Sequence, residues 1–404
     1  MKTEQSKCVP GLRFPGFVGA WKLEQLHEIT SKKISYGIVQ AGEHIPGGMP
    51  YIKSQDLNQP LALDSLQRTS AQIARKYHRS EVEPGDIVFS LRGNIGISQI
   101  VPLSVPIANL TQGTARIAVA NHDNRLVAQT LQTTKVAREI DACAKGSTFR
   151  EISLEALRKI SLPLAPTLPE QRKIADFLTA VDGRIGQLIQ KKALLEDYKK
   201  GVMQQLFTQA IRFKDDHGND FPDWEEKKLG EIGKITTGKT PSTSDDAAWV
   251  GDTMFVTPSD IGEDTKFQHK TSRHVNGEKL RLIPKNSLMF TCIASVGKMS
   301  IATQPCITNQ QINSVSVGSG FLFEYVYYAL RKLTPQIKST QANNTLPIIN
   351  KTEFSKFFLP IPTLPEQTKI ADFLSALDRK IESVATQITE TQTFKRGLLQ
   401  QMFV

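Results

Sequence analysis

The sequence predicts an α+β protein in which two mixed, strand-rich domains are separated by two long helices packed as an antiparallel coiled coil, with an internal pseudo-two-fold repeat. Three observations lead there. A chain of 404 residues exceeds the size at which one core keeps growing, so more than one globular part is expected. The chain also repeats itself at an offset of 196 residues: TLPEQRKIADFLTAVDGRI, Thr167 to Ile185, aligns without gaps to TLPEQTKIADFLSALDRKI, Thr363 to Ile381, with 14 of 19 positions identical. From within both copies onward, apolar residues recur at alternating steps of three and four, the signature of a coiled-coil seam.

The elements follow in chain order. Residues 1–165 form the first domain, where short apolar runs bounded by Gly, Pro and Asn read as strands and hairpins. Residues 166–209 form the first spacer helix. Thr167 is placed to cap it, Glu170 three residues later completes a capping box, and Pro169 sits harmlessly in the first turn. Its stripe runs Ile174, Leu178, Val181, Ile185, Leu188, Leu195, Val202 and Leu206.

Residues 210–362 form the second domain, a divergent copy of the first: PYIKSQDL (Pro50 to Leu57) resembles MFVTPSDI (Met254 to Ile261), and EPGDIVFSLRGNIG resembles IPKNSLMFTCIASVG. FEYVYYALRKL reads as a short helix. Residues 363–404 form the second spacer helix, with Thr363 and Glu366 as its capping pair and Ile370, Leu374, Leu377, Ile381, Val384, Ile388, Leu398 and Met402 as its stripe. Each rod of about 38 residues would be roughly 57 Å long, and its stripe is expected to pair with the other copy. Lys192 stands where Ile388 does and Leu195 where Thr391 does, so the helices are not interchangeable. Lys199 and Lys395 interrupt both seams at matching places, either as snorkelling side chains or as register-setting residues.

The net charge is +10, and residues 1–165 hold 20 Lys and Arg against 14 Asp and Glu, an excess of six. From Lys266 to Lys298 lie Lys266, Lys270, Arg273, Lys279, Arg281, Lys285 and Lys298 with one acid, Glu278, a basic patch of the kind that binds nucleic acid or simply faces solvent. No apolar run approaches the roughly 18 residues of a membrane span. The first residues carry no apolar stretch that routes a chain for secretion, so the cytoplasm is the expected compartment. Cys8, Cys143, Cys292 and Cys306 lie far apart and read as reduced, buried thiols, and no zinc or HExxH spacing occurs.

One stretch imitates a nucleotide site. GKITTGKT fits the pattern GxxxxGK[ST] through Gly233, Gly238, Lys239 and Thr240. A true phosphate loop opens a helix, whereas Pro241 and the polar STSDD run follow here, so ATP binding is not expected. The chain has no Pro-Pro pair and so no [ND]PP[YF] methylation site, and Phe323 replaces the third glycine of a dinucleotide loop at Gly318. Catalysis by this polypeptide alone is not expected.

The order of variable domain, LPLAPTLPEQRKIADFL helix, second variable domain and LPIPTLPEQTKIADFL helix resembles the specificity (S) subunit of type I restriction-modification systems. The resemblance covers essentially the whole chain. GDIVFSLRGNIG, TTGKTPS, VTPSDI and ITNQQINS support it, and in that family GKTPS belongs to the second recognition domain. It implies a non-catalytic subunit whose two target-recognition domains each bind half of a bipartite site in double-stranded DNA, with the helices as a ruler and the half-sites about one turn apart. It also implies two methyltransferase subunits that methylate adenine with S-adenosylmethionine, and motor-nuclease restriction subunits that use ATP and magnesium. No metal, cofactor or membrane is expected for this chain.

Residue chemistry narrows the DNA contacts, since Lys and Arg hold phosphates and Arg, Asn and Gln read base edges. The candidates are Arg75, Lys76, Arg79, Arg92 and Asn94 in the first domain, the last two on a hairpin tip. In the second they are Lys239, Thr240, Lys266, Lys270, Arg273 and Lys298. Glu170, Gln171, Glu366 and Gln367, expected exposed near the helix starts, are candidates for partner binding, with capping as their other role. The alternative function is a non-catalytic coiled-coil adaptor that spaces two protein-binding domains.

Overall fold

A computed structural model of the protein describes residues 9–146, 150–263, 265–278, 280–340 and 347–403, so Cys8 and Lys279 lie outside the described residues. The repeated segments form the two helices that the heptads predict, Leu168–Phe207 and Leu364–Met402. They are shared between two compact units that cut across the four sequence segments. The first unit comprises Met1–Gln190 with Ala385–Val404, and the second Lys191–Val384. Each unit therefore holds the start of one long helix and the end of the other.

Within each unit the two helices run antiparallel and their seams meet the core of the adjoining domain. In the first unit Ile174, Ala175 and Leu178 pack in one cluster with Leu398, Met402 and Phe403. In the second, Ile370, Ala371 and Leu374 pack with Val202, Met203 and Leu206. Val181, Ile185, Leu195, Ile381 and Ile388 are only half-buried. Covering such a stripe, not helix propensity, stabilises rods this long.

The domains are built around one strand each. Ile87–Ser90 lies between Ser98–Ile100 and Thr114–Ile117, both antiparallel to it. Leu288–Thr291 lies likewise between Met299–Ala302 and Ile312–Val317, in a five-stranded sheet that adds Gly233–Thr237 and Phe267–Gln268 at its edges. Both central strands are buried on both faces, which is why their sequences, IVFS and LMFT, are apolar runs and not alternating ones. Ile87 and Phe89 face the helix-bearing core while Val88 faces a smaller cluster with Ile52 and Leu110. Leu288 and Phe290 divide from Met289 in the same way.

The faint similarities between the domains mark matching structure. Met49–Ile52 and Thr253–Val256 each centre a second three-stranded sheet. In the turn after each, an aspartate carboxylate accepts a backbone N–H three residues back: Asp56 from Lys53 at 2.7 Å and Asp260 from Thr257 at 2.8 Å. The hairpin after the central strand takes positive φ at Gly93 (70°) and, at the matching place, at Ala294 (61°), where an L residue pays for a conformation that glycine adopts freely. FEYVYYALRKL belongs to a longer helix than expected, Phe323–Thr340, which continues through Pro335 so that Ile337 reaches the core. Cys292 and Cys306 are buried and Cys143 half-buried, all three as free thiols.

Candidate nucleic-acid interface and its anchors

The helix starts hold the domains, and they do so twice by the same chemistry. In the first unit the Arg13 guanidinium donates to both Glu170 carboxylate oxygens, at 2.7 and 2.8 Å, and to the carbonyls of Gly19 and Val18. In the second, Arg212 donates to both Glu366 oxygens, at 3.2 and 2.8 Å, and to the carbonyls of Phe221 and Pro222. Such forked pairing ties the chain entering each domain to the first turn of a long helix. Aromatic pairs repeat beside it. Phe14 packs on Phe177 and Phe213 on Phe373, while Trp21 packs on Phe403 and Trp224 on Phe207. Trp224 also donates its indole N–H to Glu366 at 3.0 Å.

These contacts correct the expectation for the partner-binding candidates. Glu170, Gln171, Glu366 and Gln367 are all at most 2% exposed. The glutamates serve Arg13 and Arg212 in place of a capping box, and the hydroxyl of Thr363 has no hydrogen-bond partner. The amide of Gln171 donates to the carbonyl of Ala165 and accepts from the Asp123 N–H, and that of Gln367 donates to Pro362 and accepts from Leu322. These side chains face inward, the glutamates to arginines and the glutamines to backbone groups, and so are not exposed for a partner.

Deeper along the helices sits a second repeated junction. Lys395 of the second helix pairs with Asp182 of the first at 2.7 Å, and Asp182 also accepts from Gln129 at 2.7 Å. Reciprocally, Lys199 of the first helix pairs with Asp378 of the second, which also accepts from the Tyr328 hydroxyl. The two lysines that interrupt the seams therefore fix helix register rather than snorkel. Burial, then the Asp378 charge, pushes the Tyr328 phenol well above its ordinary range.

The expected DNA-contact residues divide into three kinds. Arg75, Lys76 and Arg79 are exposed and close together, on the last turn of the helix Ala71–Lys76 and the 3-10 turn His78–Ser80. Lys239, Lys270 and Arg273 are exposed in the second unit, the Arg273 guanidinium lying over the Trp249 ring at 5.5 Å. Arg92 and Asn94 stand on the predicted hairpin but are engaged, Arg92 with Glu151 at 2.9 Å and Asn94 with Asn58 at 2.9 Å. Thr240 bonds Gln310 at 2.5 Å, and Lys298 stands 3.6 Å from Glu263. Lys266 is a correction. Its side chain is 11% exposed, its ammonium donates to Glu324, Tyr328 and Ser375, and it lies over the Tyr328 ring, so it is a buried strut and cannot touch DNA.

The phosphate-loop imitation has a structural cause. A Cβ at Gly238 would come within 2.3 Å of the backbone oxygens of Thr308 and Asn309, so this glycine permits strand contact. The Lys239 N–H donates to the Thr308 carbonyl at 2.9 Å, and Thr240 is followed not by an α-helix but by a 3-10 turn at Asp246–Trp249.

Sequence reasoning missed both anchors. Leu12-Arg13-Phe14 and Ile211-Arg212-Phe213 are near copies, but 199 residues apart, three more than the helix offset, which concealed them. Asp182 and Asp378 stood inside the quoted repeat, at the 196 offset, as acids complementary to Lys395 and Lys199.

A sequence profile described as the type I restriction modification DNA specificity domain matches residues 20–197 and again 222–392. The chain is 30% identical over 207 residues to the MjaIX specificity subunit of a type I restriction enzyme from Methanocaldococcus jannaschii, an alignment that spans 49% of this chain and 48% of that protein. It is 24% identical to the MjaVIII specificity subunit of the same organism over 98% of this chain and 95% of that one. The alignment to the first thus spans about half of its length. Among solved structures, the S subunit of a type I restriction-modification system from M. genitalium shares the fold, with a TM-score of 0.62 at 15% identity and coverage of 98% and 99%.

Proposed function

The chain belongs to the type I restriction-modification DNA specificity family, and from that premise we propose that it recognises a DNA sequence on behalf of such a system. Its two domains read the two halves of a bipartite target in double-stranded DNA, and the paired helices set the spacer. Catalysis falls to partners that it recruits: methyltransferase subunits, which would use S-adenosylmethionine, and motor-nuclease subunits, which would use ATP and magnesium.

The observation that carries this reading is the contrast between anchors and surfaces. Arg13–Glu170 and Arg212–Glu366, with Asp182–Lys395 and Asp378–Lys199, repeat from unit to unit, while the exposed basic candidates differ in place, Arg75, Lys76 and Arg79 on a helix end and the turn after it, Lys239 and Lys270 outside helices and strands and Arg273 on a strand. Identical mounts with unlike faces suit a molecule that reads two different half-sites.

The test is methylation-sensitive sequencing of host DNA before and after residues 210–362 are exchanged for the corresponding domain of a relative. One half of a split, methylated motif should change and the other should persist. Alteration of both halves, or of neither, would refute independent reading by the two domains.

A further inference from the structure

The side chains of Ser35, Arg116 and Arg158 line one cleft of the first unit, of about 580 Å³, and each has one buried atom, Ser35 Oγ, Arg116 Nε and Arg158 Nε, without a hydrogen-bond partner among the described residues. Two arginines with no carboxylate partner among the described residues, at one opening, give it a positive charge that an anion would complement. The walls are basic. Lys33 and Arg79 stand exposed at its rim beside Lys32.

Arg116 is its floor. It sits on the strand Thr114–Ile117 directly across from Val88, is 6% exposed, and donates one guanidinium nitrogen to the Glu81 carbonyl at 2.6 Å while its Nε has no partner. Arg158 donates to the Ile34 carbonyl, and its Nε is likewise unpartnered. Acids are present too: Glu81 and Glu83 line the cleft, Glu83 pairing with Lys32 at 3.3 Å, and nearby Asp86 accepts the Glu83 N–H at 3.1 Å. Among the described residues, Lys33, Arg79, Arg116 and Arg158 form no ion pair. Burial of an arginine without a carboxylate is costly, and here it lowers the Arg116 pKa from its ordinary value despite Asp86, Glu83 and Glu81 nearby.

We propose that this cleft binds a phosphate group, held by Arg116 and Arg158 from below and by Lys33 and Arg79 from the rim, with the Ser35 hydroxyl as a further donor. Guanidinium forks match phosphate oxygens, and the cleft lies beside the exposed basic ridge of Arg75 and Lys76. The occupant we assign is a backbone phosphate of the bound duplex, a step that rests on the proposed function. The second unit does not repeat the site, because Ser314 occupies the register position of Arg116, across from Met289. The cleft is thus a fixed point of the first domain alone, which sets position without reading sequence.

The test uses the full chain and the double variant Lys33→Gln/Arg79→Gln, whose exposed positions spare the fold. Thermal unfolding is compared in sodium phosphate and in sodium chloride at equal ionic strength, and duplex binding is followed by fluorescence anisotropy over a salt series. Phosphate should stabilise the wild type beyond chloride and should lose that effect in the variant. The duplex salt slope should fall by about one at most, the share of the single phosphate that the cleft neutralises, equally for different sequences. A phosphate effect no larger than that of chloride, or one that survives in the variant, overturns the site. Loss of the phosphate effect with an unchanged duplex slope leaves a site for a small free anion and overturns the duplex as its occupant. If the wild type binds phosphate in this manner but no duplex, the proposed function fails while the site stands.

Discussion

Arg212→Met in the full chain leaves the Glu366 carboxylate inside the protein with one donor, the Trp224 indole, in place of three contacts. Removing one partner of a buried ion pair costs about 3–5 kcal/mol, and the low end applies because the Arg212 side chain keeps 22% of its exposure. Adding Glu366→Leu removes the stranded charge and should recover most of that loss. It also orphans the Trp224 indole, which retains a deficit of about 1–3 kcal/mol. The first unit supplies the control. Arg13 and Glu170 make the same pair, but the Trp21 indole there has no partner to lose, so Arg13→Met/Glu170→Leu should come back closer to wild type. Native-state hydrogen exchange, resolved by peptide, gives the opening free energy of each unit separately. Double variants no more stable than their singles, or equal recovery in both units, would refute the reasoning.

Three further outcomes follow from the same geometry. Lys199→Met should cost about 1–2 kcal/mol and Lys395→Met less, because Asp378 is 24% exposed and Asp182 40%, so water can replace the second lysine; local hydrogen exchange at the junctions checks the order. Burial raises the pKa of Asp260, but the Thr257 hydroxyl and the N–H groups of Ser272 and Thr257 outweigh it and hold the carboxyl below its ordinary value. A depressed carboxyl stabilises the fold above the usual aspartate range, about pH 4, and that contribution is lost as pH falls through the lowered value, so Asp260→Asn should weaken the protein at pH 7 and flatten its acid limb in urea titrations. Burial pushes the Cys292 and Cys306 thiols up to about 12, so iodoacetamide at pH 8 should modify Cys143 well before either, as read by peptide mass spectrometry.

The long helices were legible because their signal is local and periodic: a heptad stripe and a near-identical entry sequence can be read without knowing any distant contact. The central strands were visible as apolar runs, since burial on both faces leaves no alternation to obscure. The site was harder to read. Lys266 looked like surface charge by composition, yet its partners Glu324, Tyr328 and Ser375 lie 58 to 109 residues away, and only tertiary structure brings them to one ammonium. The basic cleft escaped notice for the same reason, because Lys33, Arg79, Arg116 and Arg158 are scattered among strands and turns. Glu170 and Glu366 misled in the other direction. A glutamate three residues into a helix is ordinarily a cap, and nothing local says that an arginine about 155 residues away will claim it.

The junction aspartates give a physical reason why the rods resemble each other while the domains do not. Asp182 and Asp378 each answer to two elements, a lysine from the opposite helix and a donor from a domain helix. The lysine is the same in both units, and its geometry is bound to helix register, so a change on either rod must be matched on the other. The domain donor is Gln129 in one unit and Tyr328 in the other, an amide and a phenol that share only the ability to donate from a similar place. That donor, a backbone N–H for Gln171 or Gln367, the anchoring arginine and the apolar residues packed on the seam are what the mount asks of a domain. Strands and loops that do not touch the rods face no such demand, so their surfaces are free to differ, and the unmatched Arg116 and Ser314 are what that freedom looks like at a single register position.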